Sequence, residues 1–143
     1  MISGVRDSGW AMFAHPDRNC IFEEAIVSAQ MEKYRNLPIH EQVMFYKGIG
    51  IQPHSGLFAC GVIVRKEPLP SSLIDANLTW WKETCNRTYQ DQLSLPYVLK
   101  VHNLQVDKIP GNLWHNFWFD YIAPSSAGPG DGWCSTSPKV GAD

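Results

Sequence analysis

The stretch Leu57–Val64, LFACGVIV, decides the fold class of this 143-residue chain. It is a short, nearly continuous apolar run with β-branched residues, and three charged residues follow it directly at 65–67. Such a run predicts a strand buried on both faces, as in an α/β sheet. Gly61 inside it marks either the close approach of a ligand or another backbone, or a bulge or a tight helix contact.

Predicted strands and helices lie on both sides of this run. WAMFAHP (10–16) and LQVDKIP (104–110) read as short strands, and helical spacing of apolar residues covers roughly 20–36, 39–50, 73–85 and 89–103. Asn19 is the expected cap of the first helix. The third helix carries apolar residues on one face, namely Ile74, Leu78, Trp81 and Cys85. The order predicts an α/β fold with about four strands at most, which indicates part of a larger sheet.

Composition limits the function classes. Apolar residues make up 44% of the chain and the net charge is −2, so a packed core is expected and a basic nucleic-acid-binding surface is not. No apolar run is long enough to span a membrane, and the N-terminal residues do not resemble a signal peptide, which favours a cytoplasmic location. The four cysteines are far apart, which argues against a zinc cluster built on a Cys-x-x-Cys pair. We expect one domain over residues 1–122 and a loop or disordered tail, rich in Gly, Pro and Ser, over 123–143.

Two polar clusters are candidates for chemistry. HPDRNC (15–20) places His15, Asp17 and Arg18 in one predicted loop, where they could hold a metal or an anionic phosphate, or simply form a Pro turn with a surface Arg. In YQDQ (89–92), Asp91 sits at a predicted helix start. It could cap that helix, or, with Gln92, accept and donate the directed hydrogen bonds that sugar hydroxyls need. From the residues alone, both alternatives stay open for each cluster.

Two histidines are weaker candidates for a metal position. His102 and His115 lie near aromatic or apolar residues, and a single histidine in such surroundings is more often a hydrogen-bonded structural residue. No Ser-His-Asp order, phosphate loop or helical pair of metal-binding histidines stands out.

Several of these segments, taken in order, resemble a known family. HPDRNCIFEEA (15–25), SGLFACGVIVRK (55–66), WW (80–81) and DQLSLPYVL (91–99) are similar to a glycosyltransferase-like family. That family includes bacterial glycosyltransferase-domain proteins and plant turgor-regulation-defect and mucilage-related proteins. The resemblance covers about residues 10–110. It departs from the family's pattern at Gln90, where Arg is usual, and at Cys60, where a more polar residue is usual.

A more distant similarity points the same way. Retaining transferases of the glycogenin and bacterial galactosyltransferase type have an Asn-Ala-Gly-like strand motif and, about thirty residues later, Asp-Gln at a helix start. The FACGVIV and YQDQLSL segments have that spacing. The resemblance therefore implies a catalytic role for Asp91 and Gln92 and a substrate-binding role for five residues: Ala59, Cys60, Gly61, His15 and Arg18.

The resemblance also implies what the complete enzyme contains. The chain corresponds to the C-terminal, acceptor-side half of a partial nucleotide-diphospho-sugar transferase (GT-A-like) fold, a mixed sheet flanked by helices with the N-terminal nucleotide-binding half missing. The expected partners are a nucleotide-sugar donor and a sugar or glycan acceptor, with Mn²⁺ or Mg²⁺ holding the diphosphate in the complete enzyme. A second chain supplying the other half, or a homo-oligomer, is a further expectation.

An alternative function belongs to a different class. The same fold could serve as a non-catalytic carbohydrate- or protein-binding module. Binding of a nucleoside diphosphate that requires Mn²⁺ would distinguish the enzyme from such a module.

Overall fold

The computed structural model describes residues 8–119, and the tail predicted at 123–143 lies outside these residues. Their secondary structure runs in the predicted order: β1 (Trp10–Ala14), α1 (Ile21–Gln30), a 3₁₀ turn (Glu32–Tyr34), α2 (Ile39–Gly48), β2 (Phe58–Arg65), α3 (Ser71–Asn86), α4 (Asp91–Val101) and β3 (Asp107–Lys108). The α/β class is confirmed. A small mixed sheet with helices packed against it is consistent with part of a GT-A-like fold. None of the helices in the described residues is long and apolar enough to cross a membrane.

The central strand of the sheet is β1. Its strand order is β2-β1-β3, with β2 antiparallel and β3 parallel to β1. Residues Trp10 to Phe13 are at most 1% exposed, whereas Ala59 and Cys60 are the buried residues of β2. The prediction that β2 is buried on both faces is confirmed only in part, because Cys60 and Ala59 pack on opposite faces while the other apolar side chains of β2 are partly buried. An edge strand in the described sheet has one neighbouring strand and less cover than a central one.

The pairing of β2 with β1 has a break in register next to Gly61. Met12 pairs with Ile63, but the next residue of β1, Phe13, pairs with Ala59. Cys60, Gly61 and Val62 thus form a bulge, as one of the alternatives for Gly61 proposed. A Cβ built on Gly61 would meet Leu113 at an ordinary 3.8 Å, so no close backbone approach requires the glycine.

Apolar residues fill three clusters. One lies between the sheet and helices α3 and α4 and includes Trp10, Met12, Trp80 and Leu95. A second joins α1, α2 and α4, and a third lies on the opposite sheet face around Ala11, Phe13, Ala59 and Ile109.

The core-facing side of α3 differs from the predicted face. Leu73, Ala76 and Trp80 are buried, whereas Ile74, Leu78 and Trp81 are 47%, 54% and 68% exposed, and Cys85 is exposed as well. Both sets recur at helical spacing, so periodicity alone could not choose between two adjacent apolar stripes. Contact between the indole rings of Trp80 and Trp10, whose centroids are 6.0 Å apart and whose planes are tilted by 46°, fixes which stripe is buried.

Candidate functional site

A buried carboxylate organises the loop that carries His15 and Arg18. Glu24, in the first turn of α1, is 2% exposed. Its Oε2 accepts a hydrogen bond from Arg18 Nε at 2.5 Å, and its Oε1 accepts one from Ser28 Oγ at 3.2 Å. A buried charge is costly unless it is paired and hydrogen-bonded, so the HPDR loop is held against α1 by this ion pair.

Gln90 connects this ion pair to the start of α4. Its side-chain Nε2 donates to Glu24 Oε1 at 3.2 Å and to Ser28 Oγ at 2.9 Å, and lies 3.5 Å from Gln92 Oε1. Its Oε1 accepts a hydrogen bond from the Tyr34 hydroxyl at 3.3 Å. The two polar clusters of the sequence, 15–20 and 89–92, are therefore parts of one hydrogen-bonded network.

His15 enters this network as a neutral imidazole. Its Nδ1 accepts the backbone N–H groups of Asp17 and Arg18 at 3.2 and 3.1 Å, which assigns the ring proton to Nε2. Nε2 lies 3.5 Å from Glu24 Oε2. Burial lowers the pKa of His15; Glu24 opposes that shift and the Arg18 charge adds to it. The side chain offers a proton donor without a positive charge.

Asp91 is the first residue of α4, and Gln90, not Asp91, occupies the cap position. Burial raises the pKa of the Asp91 carboxyl above its usual range, while backbone N–H groups at the helix start and the charge of Lys33 act in the opposite direction. The Asp91 carbonyl oxygen accepts a hydrogen bond from the Trp80 indole at 3.2 Å. Asp91 thus combines a helix-start position, which favours a negative charge, with surroundings that disfavour it.

Of the three strand residues Ala59, Cys60 and Gly61, only Cys60 lies on the side of the sheet that packs against α3 and α4. Cys60 packs in the cluster between β2, α3 and α4. Burial raises its pKa well above the usual range, and the charges of Asp91 and Glu24 add to that effect. The thiol is therefore protonated at neutral pH and is not an activated nucleophile. Ala59 packs on the opposite sheet face, and Gly61 is exposed in the bulge.

The two histidines predicted as weak metal candidates lie away from Asp91 and from the network. His102 follows α4 at its far end, where its Nε2 lies 2.8 Å from Thr79 Oγ1. His115 is exposed in the segment after β3, where its backbone N–H donates to Asn112 Oδ1 at 2.8 Å. The structure brings neither of them to Asp91.

Among residues 8–119, the surroundings of Asp91 do not fit a Mn²⁺ or Mg²⁺ site. Mg²⁺ is usually bound through carboxylates together with water and phosphate oxygens. Glu24, the carboxylate of the network, is buried and committed to Arg18. The cation expected for a complete enzyme remains a prediction.

A cavity of about 630 Å³ lies beside the C-terminal half of α4, away from Asp91. Pockets of about 300–1,000 Å³ are typical of small-molecule sites. The polar side chains that line it are Gln52, Ser55, Lys100, Asn103 and Gln105. It shares α4 with the network but none of the network's residues.

Sequence reasoning missed the residues that join the two clusters. Glu24 and Ser28 recur with Ile21 and Ala25 on the buried stripe of α1. An acid on an apolar helical stripe is a signal that could have been used. No sequence feature paired Glu24 with Gln90, which is 66 residues away.

One comparison with known proteins gives a match. A family model described as "TOD1/MUCI70, glycosyltransferase-like domain" matches residues 4–122. No curated protein and no solved structure matches the chain.

Proposed function

Because the chain belongs to the TOD1/MUCI70 glycosyltransferase-like domain family, we propose that it takes part in transfer of a sugar from a nucleotide-sugar donor to a hydroxyl acceptor. The observation that carries the proposal is the Asp91 carboxyl. It is half-buried at the start of α4, between Gln90 and Gln92 in the chain, and the Gln90 side chain is hydrogen-bonded to Glu24 of the Arg18–Glu24 ion pair.

Asp91 and Gln92 are the residues proposed to contact the sugar. A carboxylate accepts two directed hydrogen bonds from hydroxyl groups, and an amide both accepts and donates. A carboxylate held in partly desolvated surroundings also stabilises a positive charge that develops at the anomeric carbon. The packing of Gln92 against Gln90 supports a fixed orientation for its amide.

Arg18 and His15 are proposed to face the anionic part of the donor. Glu24 uses the Nε–H group of Arg18 and Nη2 lies 3.4 Å from His15 Nε2, so the Nη1 group is the part of the guanidinium proposed to donate to a phosphate oxygen. His15 Nε2–H adds a neutral donor next to it. Glu24 is then a positioning residue, which holds both side chains while it stays buried itself.

A second function is favoured by a specific observation. The Asp91 carboxylate is in no ion pair within the described part of the chain, and an unpaired carboxylate is enough for sugar binding without catalysis. A non-catalytic carbohydrate-binding module is therefore the alternative, and turnover distinguishes it from the transferase.

The test uses the full chain with a panel of uridine and guanosine diphosphate sugars in the presence of Mn²⁺. We expect release of nucleoside diphosphate with at least one donor, and a fall of about 100-fold or more for Asp91→Asn. Asp75→Asn, an exposed aspartate on α3, is the matched control and should keep full activity.

Calorimetry with the same donors and with free sugars separates the two functions. Sugar binding that Asp91→Asn abolishes, without turnover by the wild type, supports the binding module. Equal turnover in the wild type and Asp91→Asn contradicts the role of Asp91, and a lack of binding to every donor and sugar contradicts both functions.

A further inference from the structure

Three side chains of types that can ligate a metal lie together outside the Arg18–Glu24–Gln90 network. One ligand atom each from Cys20, Glu23 and His54 lies within 4.8 Å of the others. The first two belong to the start of α1 and the third to the loop before β2, so the fold brings together segments more than thirty residues apart. Cys20 is buried, whereas Glu23 and His54 are exposed, and the cluster therefore opens to solvent above a buried thiol.

The backbone holds the loop against α1 at this point. Asn19 Oδ1 lies 2.8 Å from His54 Nδ1, and the backbone oxygen of Asn19 accepts a hydrogen bond from Gly56 N–H at 3.0 Å. His54 has a φ of 54°, in the left-handed region that residues other than glycine rarely adopt. Asn19, which was expected to cap α1, instead binds the loop, since Cys20 occupies the cap position without a side-chain cap bond.

We propose that Cys20, Glu23 and His54 bind a zinc ion. A thiolate, an imidazole and a carboxylate are the ligand types that Zn²⁺ takes, at about 2.0–2.3 Å from the metal. Ligand atoms around a tetrahedral ion then lie roughly 3.3–3.8 Å apart. His54 Nδ1 and Glu23 Oε1 are already 3.9 Å apart, and both exposed side chains can move the remaining distance.

The fourth zinc ligand would be Asn19 Oδ1 or a water molecule. Binding deprotonates the thiol, so Cys20 gives a thiolate–zinc bond and one proton goes to solvent. His54 Nδ1 must then carry a lone pair, so zinc binding replaces the Nδ1–H···Oδ1 hydrogen bond to Asn19, and the neutral ring places its hydrogen on Nε2. The lack of a Cys-x-x-Cys pair does not exclude this site, because it needs only one cysteine.

Zinc at this position would tie the 50–56 loop to α1. The same loop contributes Gln52, Ser55 and Gly56 to the 630 Å³ cavity. Zinc binding would therefore hold a loop that lines the cavity, whether or not the chain transfers a sugar. The ion also differs from the Mn²⁺ or Mg²⁺ of the transferase proposal, because a thiolate and an imidazole favour Zn²⁺ or Co²⁺ over ions that prefer oxygen ligands.

The experiment titrates the metal-free, reduced, untagged full chain with Co²⁺, followed by displacement with Zn²⁺. We expect one equivalent to bind with a thiolate-to-cobalt charge-transfer absorption, and a Zn²⁺ dissociation constant in the micromolar range or tighter. Cys20→Ser should abolish the absorption, and Glu23→Gln and His54→Gln should each weaken Zn²⁺ binding by about tenfold or more. Cys85→Ser, an exposed cysteine on α3, is the matched control and should bind as the wild type does.

Two results would overturn the zinc site. One is the absence of saturable Zn²⁺ binding by the wild type. The other is unchanged affinity in both Glu23→Gln and His54→Gln, whose exposed positions allow folding even if Cys20→Ser does not fold. Donor binding and turnover are measured separately with the same proteins, so failure of the zinc site and failure of the proposed function give different results.

Discussion

Helix α4 has two interfaces of opposite character. Towards α3 and the sheet it packs through Leu95 and Val98, which meet Ala76 and Trp80 in the first apolar cluster. Towards α1, the residue just before it, Gln90, is hydrogen-bonded to a buried carboxylate and a buried hydroxyl. Leu93 adds apolar contact on this side as well.

The difference separates what holds the fold from what orients the site. Apolar packing is non-directional and depends mainly on the area and volume that are filled. A buried polar network is stable only when every member is satisfied, and an apolar replacement is often as stable. The polar side of α4 is therefore better explained by the fixed positions of Arg18, Gln90 and Gln92 than by stability.

The largest effect is expected on the apolar side. Trp80→Ala removes a buried aromatic ring and its hydrogen bond to Ser94, so we expect a loss of roughly 4 kcal/mol in the free energy of unfolding. Chemical denaturation measures it. Trp81→Ala is the matched control at 68% exposure and should change stability by less than about 0.5 kcal/mol. Equal losses for both would contradict the assigned buried face of α3.

The next effect concerns the polar side. Glu24→Ala leaves the Arg18 guanidinium unpaired and removes an acceptor from Gln90 and Ser28, so we expect a loss of about 3 kcal/mol. The measurement is denaturation in metal-free buffer. Glu23→Ala, the exposed neighbour in the same helical turn, should have a small effect. A Glu24→Ala protein as stable as the wild type would show that the network does not hold the loop.

The same contrast explains what the sequence could predict. The order of strands and helices followed from apolar periodicity and from Pro and Gly positions, and every predicted element is present. The sequence could not predict which stripe of α3 is buried, because the buried residues recur at helical spacing just as the exposed ones do. The buried residues are Leu73, Ala76 and Trp80. That choice is made by contact with β1, far away in the chain.

The candidate site was predictable only in pieces. HPDR and YQDQ stood out as polar clusters next to predicted elements, but nothing local joins them. They meet because Gln90 reaches Glu24 across the α1–α4 interface. The zinc ligands show the same limit, since Cys20 and His54 come together only through the docking of the loop on α1. Long-range pairing of single polar side chains leaves no periodic signal.

A smaller, pH-dependent effect tests the neutral state of His15. Burial lowers its folded-state pKa, so the unfolded chain binds the proton more readily. Stability should be retained above the unfolded pKa of about 6.5 and should fall as the pH drops below it. His15→Asn keeps an acceptor for the two backbone N–H groups and should flatten this part of the pH profile. His40→Asn, an exposed histidine in α2, should leave the profile unchanged.

The smallest effect on stability should come with the largest effect on function. Burial raises the folded-state pKa of Asp91, so the ionised carboxylate opposes folding at neutral pH. Asp91→Asn removes that charge but keeps a hydrogen-bonding side chain, and we expect a small rise in melting temperature at pH 7. The rise should disappear as the pH falls to about 4 and below, where the wild-type carboxyl is itself protonated.

This last substitution decides between the two roles that the position allows. If Asp91 served only to start α4, the loss of its charge next to the helix N-terminus would lower stability and leave sugar binding intact. A more stable protein that no longer binds or turns over a sugar donor would mean that the carboxylate is kept despite its effect on folding, as expected of a functional residue. Asp75→Asn, measured in parallel, should change neither property.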